Sequence, residues 1–253
     1  MDLGLKGAKV IMTGGGKGIG RAALELFAAE GADVAFSARS PAVVEEVASA
    51  LQRHGGKVHG AAFDMEAGAD AYAEWLRQAV AALGGCDIFI PMISSSGAQS
   101  TTDWHKSFEY DVMGAVRGCE ALEAELEKSD RAAVVLMSST AAVETFIRPQ
   151  GYNAVKASLV TYSGQLGQAW GAKGIRVNCV SPGPIEFEGG NWPRICELNP
   201  ALYEATRAGF ALGRFGAVEE VARAVVFLAS PMSSFTTGVN LVVDGGFTKR
   251  VQF

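Results

Sequence analysis

The sequence predicts an α/β protein, a doubly wound and mainly parallel sheet of seven strands with helices on both faces. Three observations predict it. Seven short apolar runs alternate with segments of helical periodicity along the 253 residues. The runs are near-continuously apolar, as strands covered on both faces are. No linker, repeat or low-complexity segment breaks the alternation.

In chain order, Ala8–Met12 reads as the first strand and Gly18–Gly31 as the helix after it. Asp33–Ser37 is the second strand, followed by a helix over Pro41–His54, where Ser40 offers a cap and Pro41 occupies the first helical position. Lys57–Ala62 is the third strand, and the helix Ala69–Gly84 ends at the pair Gly84-Gly85. The strands Asp87–Met92, Ala132–Met137, Ile175–Val180 and Val239–Val243 follow, with helices expected over Asp103–Lys128, Gly151–Gly171 and Val218–Ala229. The longest irregular stretch, Pro182 to Pro200, contains Gly183, Gly189, Gly190, Trp192 and Pro193 and reads as a substrate cover.

Composition narrows the function. With 49% hydrophobic and 19% charged residues the chain suits one domain with a large core. A net charge of -5 with no Lys/Arg run argues against a nucleic-acid or anionic-membrane surface. No apolar run approaches the roughly 20 residues of a membrane span, and Met1-Asp2-Leu3-Gly4 has no leader character, so the cytoplasm is the expected address. Cys86, Cys119, Cys179 and Cys196 are scattered, as are His54, His59 and His105, so neither a disulfide framework nor a metal site is indicated.

The chemistry concentrates at two places. After the first strand, Thr13-Gly14-Gly15-Gly16-Lys17-Gly18-Ile19-Gly20 opens a helix, and such glycines let the backbone turn sharply against a dinucleotide pyrophosphate at a helix N-terminus. Tyr152 and Lys156, four apart on a helix, emerge on one face, and Ser139 lies just past the fifth strand, at the sheet end where such folds bind ligands. A free tyrosine ionises near pH ~10, so a neighbouring ammonium is needed to favour its phenolate.

These motifs resemble those of the short-chain dehydrogenase/reductase family, a single-domain Rossmann fold, in the spacing T-G-x-x-x-G-x-G and in Ser139 with Y-x-x-x-K. Further matches run through most of the chain: Asp64 after the third strand, Arg176-Val177-Asn178, Ser181-Pro182-Gly183, Gly213-Arg214-Phe215-Gly216, Glu219-Glu220-Val221-Ala222, Phe227-Leu228-Ala229-Ser230 and Val243-Asp244-Gly245-Gly246. The resemblance implies one dinucleotide-binding catalytic domain over 1–253 with a lid at about 183–213. It implies that Ser139 bonds the substrate oxygen, Tyr152 gives or takes its proton, and Lys156 lowers the Tyr152 pKa and binds the nicotinamide ribose. The hydride passes directly between nicotinamide and carbon without a metal. The implied cofactor contacts are Gly14, Gly16, Lys17, Gly18, Ile19 and Gly20, then Arg39, Asp64 and Met65, then Tyr152, Lys156, Pro182, Gly183 and Ile185.

Family members that prefer NAD place an acid at the end of the second strand. Here Ala38 and Arg39 stand there and Lys17 sits in the glycine loop, two cations suited to a 2′-phosphate, so NADP(H) is expected, with NAD(H) the alternative. Three positions depart from the family pattern. Pro91-Met92-Ile93-Ser94 replaces Asn-Asn-Ala-Gly, Asp111 replaces the active-site Asn that helps hold a water beside the Lys, and Phe187 replaces a Thr beyond Pro182-Gly183. The expected activity is therefore an NADPH-dependent carbonyl reductase or the reverse alcohol dehydrogenase, with Asp111 in the catalytic set. A nucleotide-binding sensor or oligomer subunit without turnover, and a lyase or isomerase using the same Tyr and Lys, stay open.

Phe187, Trp192, Ile195, Leu198 and Phe210 point to a hydrophobic or cyclic carbonyl substrate, or else only pack the lid. A homotetramer is expected from the resemblance. The apolar stripes Ala115, Val116, Ala121, Leu122 and Leu126, and Val160, Leu166 and Ala169, serve either core or interface.

Overall fold

Apolar runs bounded by glycine and polar residues become strands wherever both faces can be covered, and the computed structural model, which describes residues 2–96, 101–145 and 149–251, contains all seven. They are β1 (Lys9–Thr13), β2 (Asp33–Ala38), β3 (Val58–Ala62), β4 (Ile88–Pro91), β5 (Ala133–Met137), β6 (Arg176–Pro182) and β7 (Asn240–Val243), in the sheet order β3-β2-β1-β4-β5-β6-β7. Every pairing is parallel. The order reverses between β1 and β4, and in open parallel sheets the ligand crevice lies at such a switch point, outside the carboxyl ends of the strands.

The helices α1 (Gly18–Ala29), α2 (Pro41–Gln52) and α9 (Val218–Ala229) cover one face through Leu24, Phe27, Val47, Leu51 and Val225, which pack with Val10 and Met12 of β1. The other face receives α3 (Ala69–Leu83), α5 (Gly114–Leu126) and α6 (Gly151–Trp170) through Tyr72, Leu76, Cys119, Leu122 and Leu159, packed with Ile11 and Phe89. Alternation of Val10, Ile11 and Met12 between the two cores is the period-2 geometry of a strand. The edge strands β3 and β7 are only partly buried.

Three details differ from the sequence reading. Ser40 makes no side-chain cap, although Pro41 does start α2. The single helix expected over Asp103–Lys128 is divided into α4 (Trp104–Ser107), a wide π turn over Phe108–Met113, and α5. Periodicity cannot register one inserted residue, and π turns tend to occur at functional sites. The stretch read as irregular, Pro182 to Pro200, contains α7 (Asn191–Leu198), and α8 (Pro200–Gly209) begins at its end, within the expected lid. The glycines of the stretch lie before α7, and the signal that was passed over is Asn199-Pro200, where the Asn199 side chain caps α8 by accepting the Leu202 N–H and Pro200 takes the first turn.

Arg176, at the start of β6, explains one of the family-like motifs as architecture. Its guanidinium donates to the carbonyls of Leu228, Ala229, Ser230 and Ser233, collecting the carbonyls at the C-terminal end of α9.

Candidate active site

The glycine loop is shaped by contacts that no side chain could share. Gly14 has φ +73, and a Cβ there would lie 3.1 Å from the Ile93 nitrogen; at Gly20 it would lie 2.5 Å from the Gly14 carbonyl oxygen, and at Gly16 2.9 Å from the Ala38 Cβ. Lys17 precedes α1 without a side-chain cap, so nothing from its own side chain occupies the helix N-terminus that an anion would take. These features fit a pyrophosphate held by backbone N–H groups.

Around the loop, the remaining candidate contacts divide by role. Arg39 and Lys17 are exposed, with the Lys17 Nζ 3.4 Å from the Gly189 carbonyl. Asp64 caps the 3-10 turn Met65–Ala67 by accepting the Glu66 N–H, while the Met65 side chain is buried in the α3/α5 core. Ile19 is partly buried against the α1 core. Pro182 ends β6, and a Cβ at Gly183 would meet Asp244 at 2.6 Å, so the tips of β6 and β7 touch. Ile185 buries its side chain against Gly216, with which it forms an isolated parallel bridge. Phe187 lies on Gly18, where a Cβ would come within 2.9 Å of the ring.

The three candidate proton-transfer residues come together at the carboxyl end of β5. Lys156 is 3% exposed, and its Nζ donates to the Met137 carbonyl at 2.6 Å and pairs with Asp111 Oδ1 at 2.8 Å. The ammonium lies 5.6 Å from the centre of the Tyr152 ring. Ser138 donates to the Lys156 carbonyl, locking α6 onto β5, and the Tyr152 N–H donates to the Thr101 carbonyl at the helix start. Burial pushes the Tyr152 phenol above its ordinary range and the Asp111 anion adds to the rise; the Lys156 cation and hydrogen bonds with Ser139 and Ser94 oppose it. Burial works against the Lys156 charge, but the Asp111 anion and the Tyr152 oxygen reverse the balance, so the ammonium is held above its ordinary range.

This geometry has known relatives. A family model described as enoyl-(acyl carrier protein) reductase matches residues 14–248. Isoepoxydon dehydrogenase of Penicillium expansum is 37% identical over 258 residues, covering 100% of this chain and 99% of its own. The chain is a short-chain dehydrogenase/reductase. A 3-oxoacyl-(acyl-carrier-protein) reductase of Chlamydia pneumoniae is 30% identical over 98% of this chain and 100% of its own. Among solved structures, L-sorbose reductase from Gluconobacter frateurii, complexed with NADPH and L-sorbose, superposes with a TM-score of 0.89 at 28% identity, covering 99% of this chain and 100% of that one. As a member of this family the protein is an oxidoreductase that binds a nicotinamide cofactor and a small-molecule substrate.

Two of the departures from the family pattern in this short-chain dehydrogenase/reductase are tied to their surroundings by polar contacts. At the tip of β4, where the family has Asn-Asn-Ala-Gly, the buried Thr13 hydroxyl accepts the N–H groups of both Met92 and Ile93. Asp111 stands in the π turn with its side chain 0% exposed, paired to Lys156. Ser94 and Ser95, which follow β4, were not singled out from the sequence. The run Ser94-Ser95-Ser96 at the carboxyl end of a central strand was the available signal.

Because the Asp111 anion opposes the phenolate, its removal makes Tyr152 easier to ionise. Asp111→Asn is expected to keep the fold, with a lower Tm from the unpaired ammonium, and to move the apparent pKa governing alcohol oxidation to lower pH. Profiles of kcat/KM against pH for both proteins check this, superimposable curves excluding Asp111 from the proton transfer.

Proposed function

We propose that this short-chain dehydrogenase/reductase is NADP(H)-dependent and interconverts a small cyclic carbonyl compound with its secondary alcohol. The observation that carries the activity is the buried group of Tyr152, Lys156 and Asp111 beside Ser139, since neither a silent nucleotide-binding subunit nor a structural role requires an ion pair that is 3% and 0% exposed on its two sides. Ser139 donates to the substrate oxygen. Tyr152 delivers or removes the proton on that oxygen, and Lys156 holds its charge against the phenol throughout. A bound nicotinamide supplies or takes up the hydride.

The choice of NADP(H) rests on Arg39. It stands exposed at the end of β2 without an acid beside it in sequence, Ala38 abuts the glycine loop, and Lys17 adds a second cation. The relative solved with NADPH agrees with this choice.

Substrate class rests on a cavity that Thr140, the residue after Ser139, helps to line. A space of about 390 Å³ lies between the segment Thr140–Thr145, α8 and the C-terminal residues, lined by Thr140, Glu144, Thr145, Thr206, Thr248 and Lys249 among others. The aromatic residues Trp192, Tyr203 and Phe210 of the segment we read as the lid, residues 183–213 of a one-domain chain, pack on Phe215 just beyond it. Trp192 and Phe215 lie 4.8 Å apart between ring centres, and Phe210 and Phe215 5.4 Å. Leu202, Ala205 and Phe247 complete the wall, so mainly apolar surface with a few hydroxyls faces the space, which suits a small ring carrying an oxygen substituent. The printed names of two relatives, isoepoxydon dehydrogenases, fit a cyclic alcohol.

We also infer a cytoplasmic homotetramer. No helix among the described residues is long and apolar enough to cross a membrane. Ala115, Leu122 and Leu126 belong to the core, but Phe227, Val239 and Leu241 leave an exposed apolar face along α9 and the edge strand β7, with Phe235 fully exposed beside it.

Three outcomes are expected. Tyr152→Phe abolishes turnover of cyclic ketones, read as NADPH oxidation, while NADPH binding by fluorescence is retained; normal turnover would overturn the assigned chemistry. The unmodified enzyme uses NADPH in preference to NADH, and Arg39→Asp moves the ratio of kcat/KM values toward NADH by about tenfold or more, the worth of a charge-assisted phosphate contact. Sedimentation at micromolar concentration gives a tetramer, and a monomer would count against the interface.

A further inference from the structure

Lys156 carries three N–H bonds. One is donated to the Met137 carbonyl, the charge pairs with Asp111 Oδ1 at 2.8 Å, and the ammonium faces the Tyr152 ring. The direction of the charge at the phenol therefore depends on where the Asp111 carboxylate points. A carboxylate on a wide π turn has rotamer freedom of its own, and nothing in the Lys156 contact fixes its plane.

The fixing comes from the residue after Ser94. Ser95 is 0% exposed and donates twice to the same oxygen, its backbone N–H to Asp111 Oδ2 at 2.9 Å and its hydroxyl to Oδ2 at 2.5 Å. Oδ1 accepts no other hydrogen bond among the described residues, so it is left to the Lys156 ammonium. The loop that carries Ser95 is itself tied to β1 through the Thr13 hydroxyl.

We propose that Ser95 is a positioning residue of the proton-transfer site: its two donors clamp the Asp111 carboxylate so that Oδ1 faces Lys156, and its hydroxyl dipole offsets part of the anion's field at Tyr152. This rests on the reading of Tyr152 and Lys156 as the proton-transferring pair. Two N–H and O–H dipoles directed at a carboxylate place positive charge against it, and in a site screened from water such dipoles act at short range on every neighbouring charge. The same clamp ties the β4 loop to the π turn, and through Asp111 to Lys156 of α6, while Ser94 of that loop hydrogen-bonds with the Tyr152 phenol. The groups that act on this pair from the packed elements are Asp111 of the π turn, Cys179 of β6, and Tyr152 and Lys156 themselves. Cys179 is buried and pushed up to about 12, so it stays a neutral thiol while Tyr152 is titrated below that pH.

The test uses the free protein labelled with carbon-13 at the tyrosine ζ position, the Tyr152 resonance being assigned by its loss in Tyr152→Phe. Ser95→Ala is expected to raise the ionisation of Tyr152 by about one pH unit, an approximately tenfold smaller phenolate fraction below it, because the hydroxyl that tempers the anion is gone. Ser95→Thr restores the hydroxyl and returns the value. In the Asp111→Asn background, Ser95→Ala adds no further shift, since no carboxylate remains to be clamped. An unchanged or lowered Tyr152 ionisation in Ser95→Ala, or an equal shift in the Asp111→Asn background, overturns the proposal. Ser95→Cys, nearly isosteric with a weaker donor, gives the same direction with a smaller shift if the alanine variant does not fold. The resonance titrates whether or not a given cyclic alcohol is a substrate, so a failed substrate screen leaves this result intact.

Discussion

The buried ion pair between Lys156 and Asp111 is the constraint around which the rest of this site is arranged. Withdrawing an ammonium and a carboxylate from water costs several kcal/mol for each, and the cost is met only when both charges are paired and their remaining bonding capacity is satisfied. The chain meets it from four elements: β5 offers the Met137 carbonyl, α6 carries Lys156, the π turn presents Asp111, and the loop after β4 closes the set with Ser95. Because all four contribute, the pair also fastens the sheet's carboxyl edge to α6 and the π turn at the site proposed for proton transfer.

That arrangement shows how a family site tolerates altered residues. Where the family carries an Asn that helps hold a water near the lysine, this chain carries an anion in direct contact with the ammonium. The exchange strengthens the lysine's charge and opposes the tyrosine's, so the balance passes to the Lys156 cation and the hydroxyls of Ser139 and Ser94. The tip of β4 is stabilised in the same manner, a threonine hydroxyl on β1 accepting the two N–H groups that follow Pro91. Phe187 is a third exchange, and its ring lies on Gly18 of the glycine loop, which joins the segment after β6 to the expected path of the pyrophosphate.

Sequence alone determined the sheet and its seven strands, and it pointed to the glycine loop and the pair Tyr152 and Lys156 as the candidate site. Strand apolarity follows from burial on both faces, and that signal is local and periodic; the glycine loop is legible because close backbone approaches exclude every other residue. Tyr152 and Lys156 are legible because four residues make about one helical turn. The π turn at Asp111 and the helices α7 and α8 were beyond it, the first because one extra residue in a turn leaves no periodic trace, the second because Asn199-Pro200 was outweighed by the glycines nearby. Arg176 likewise carried a family motif whose work is to hold the end of α9. Only the tertiary structure decided what Asp111 touches and that Ser95 stands behind it. Ser95 and Asp111 are 16 residues apart and Lys156 is farther still, so their meeting depends on the crossover from β4 to β5 and on the docking of α6 against it, and a hydrogen bond formed across such distances has no signature in the order of residues.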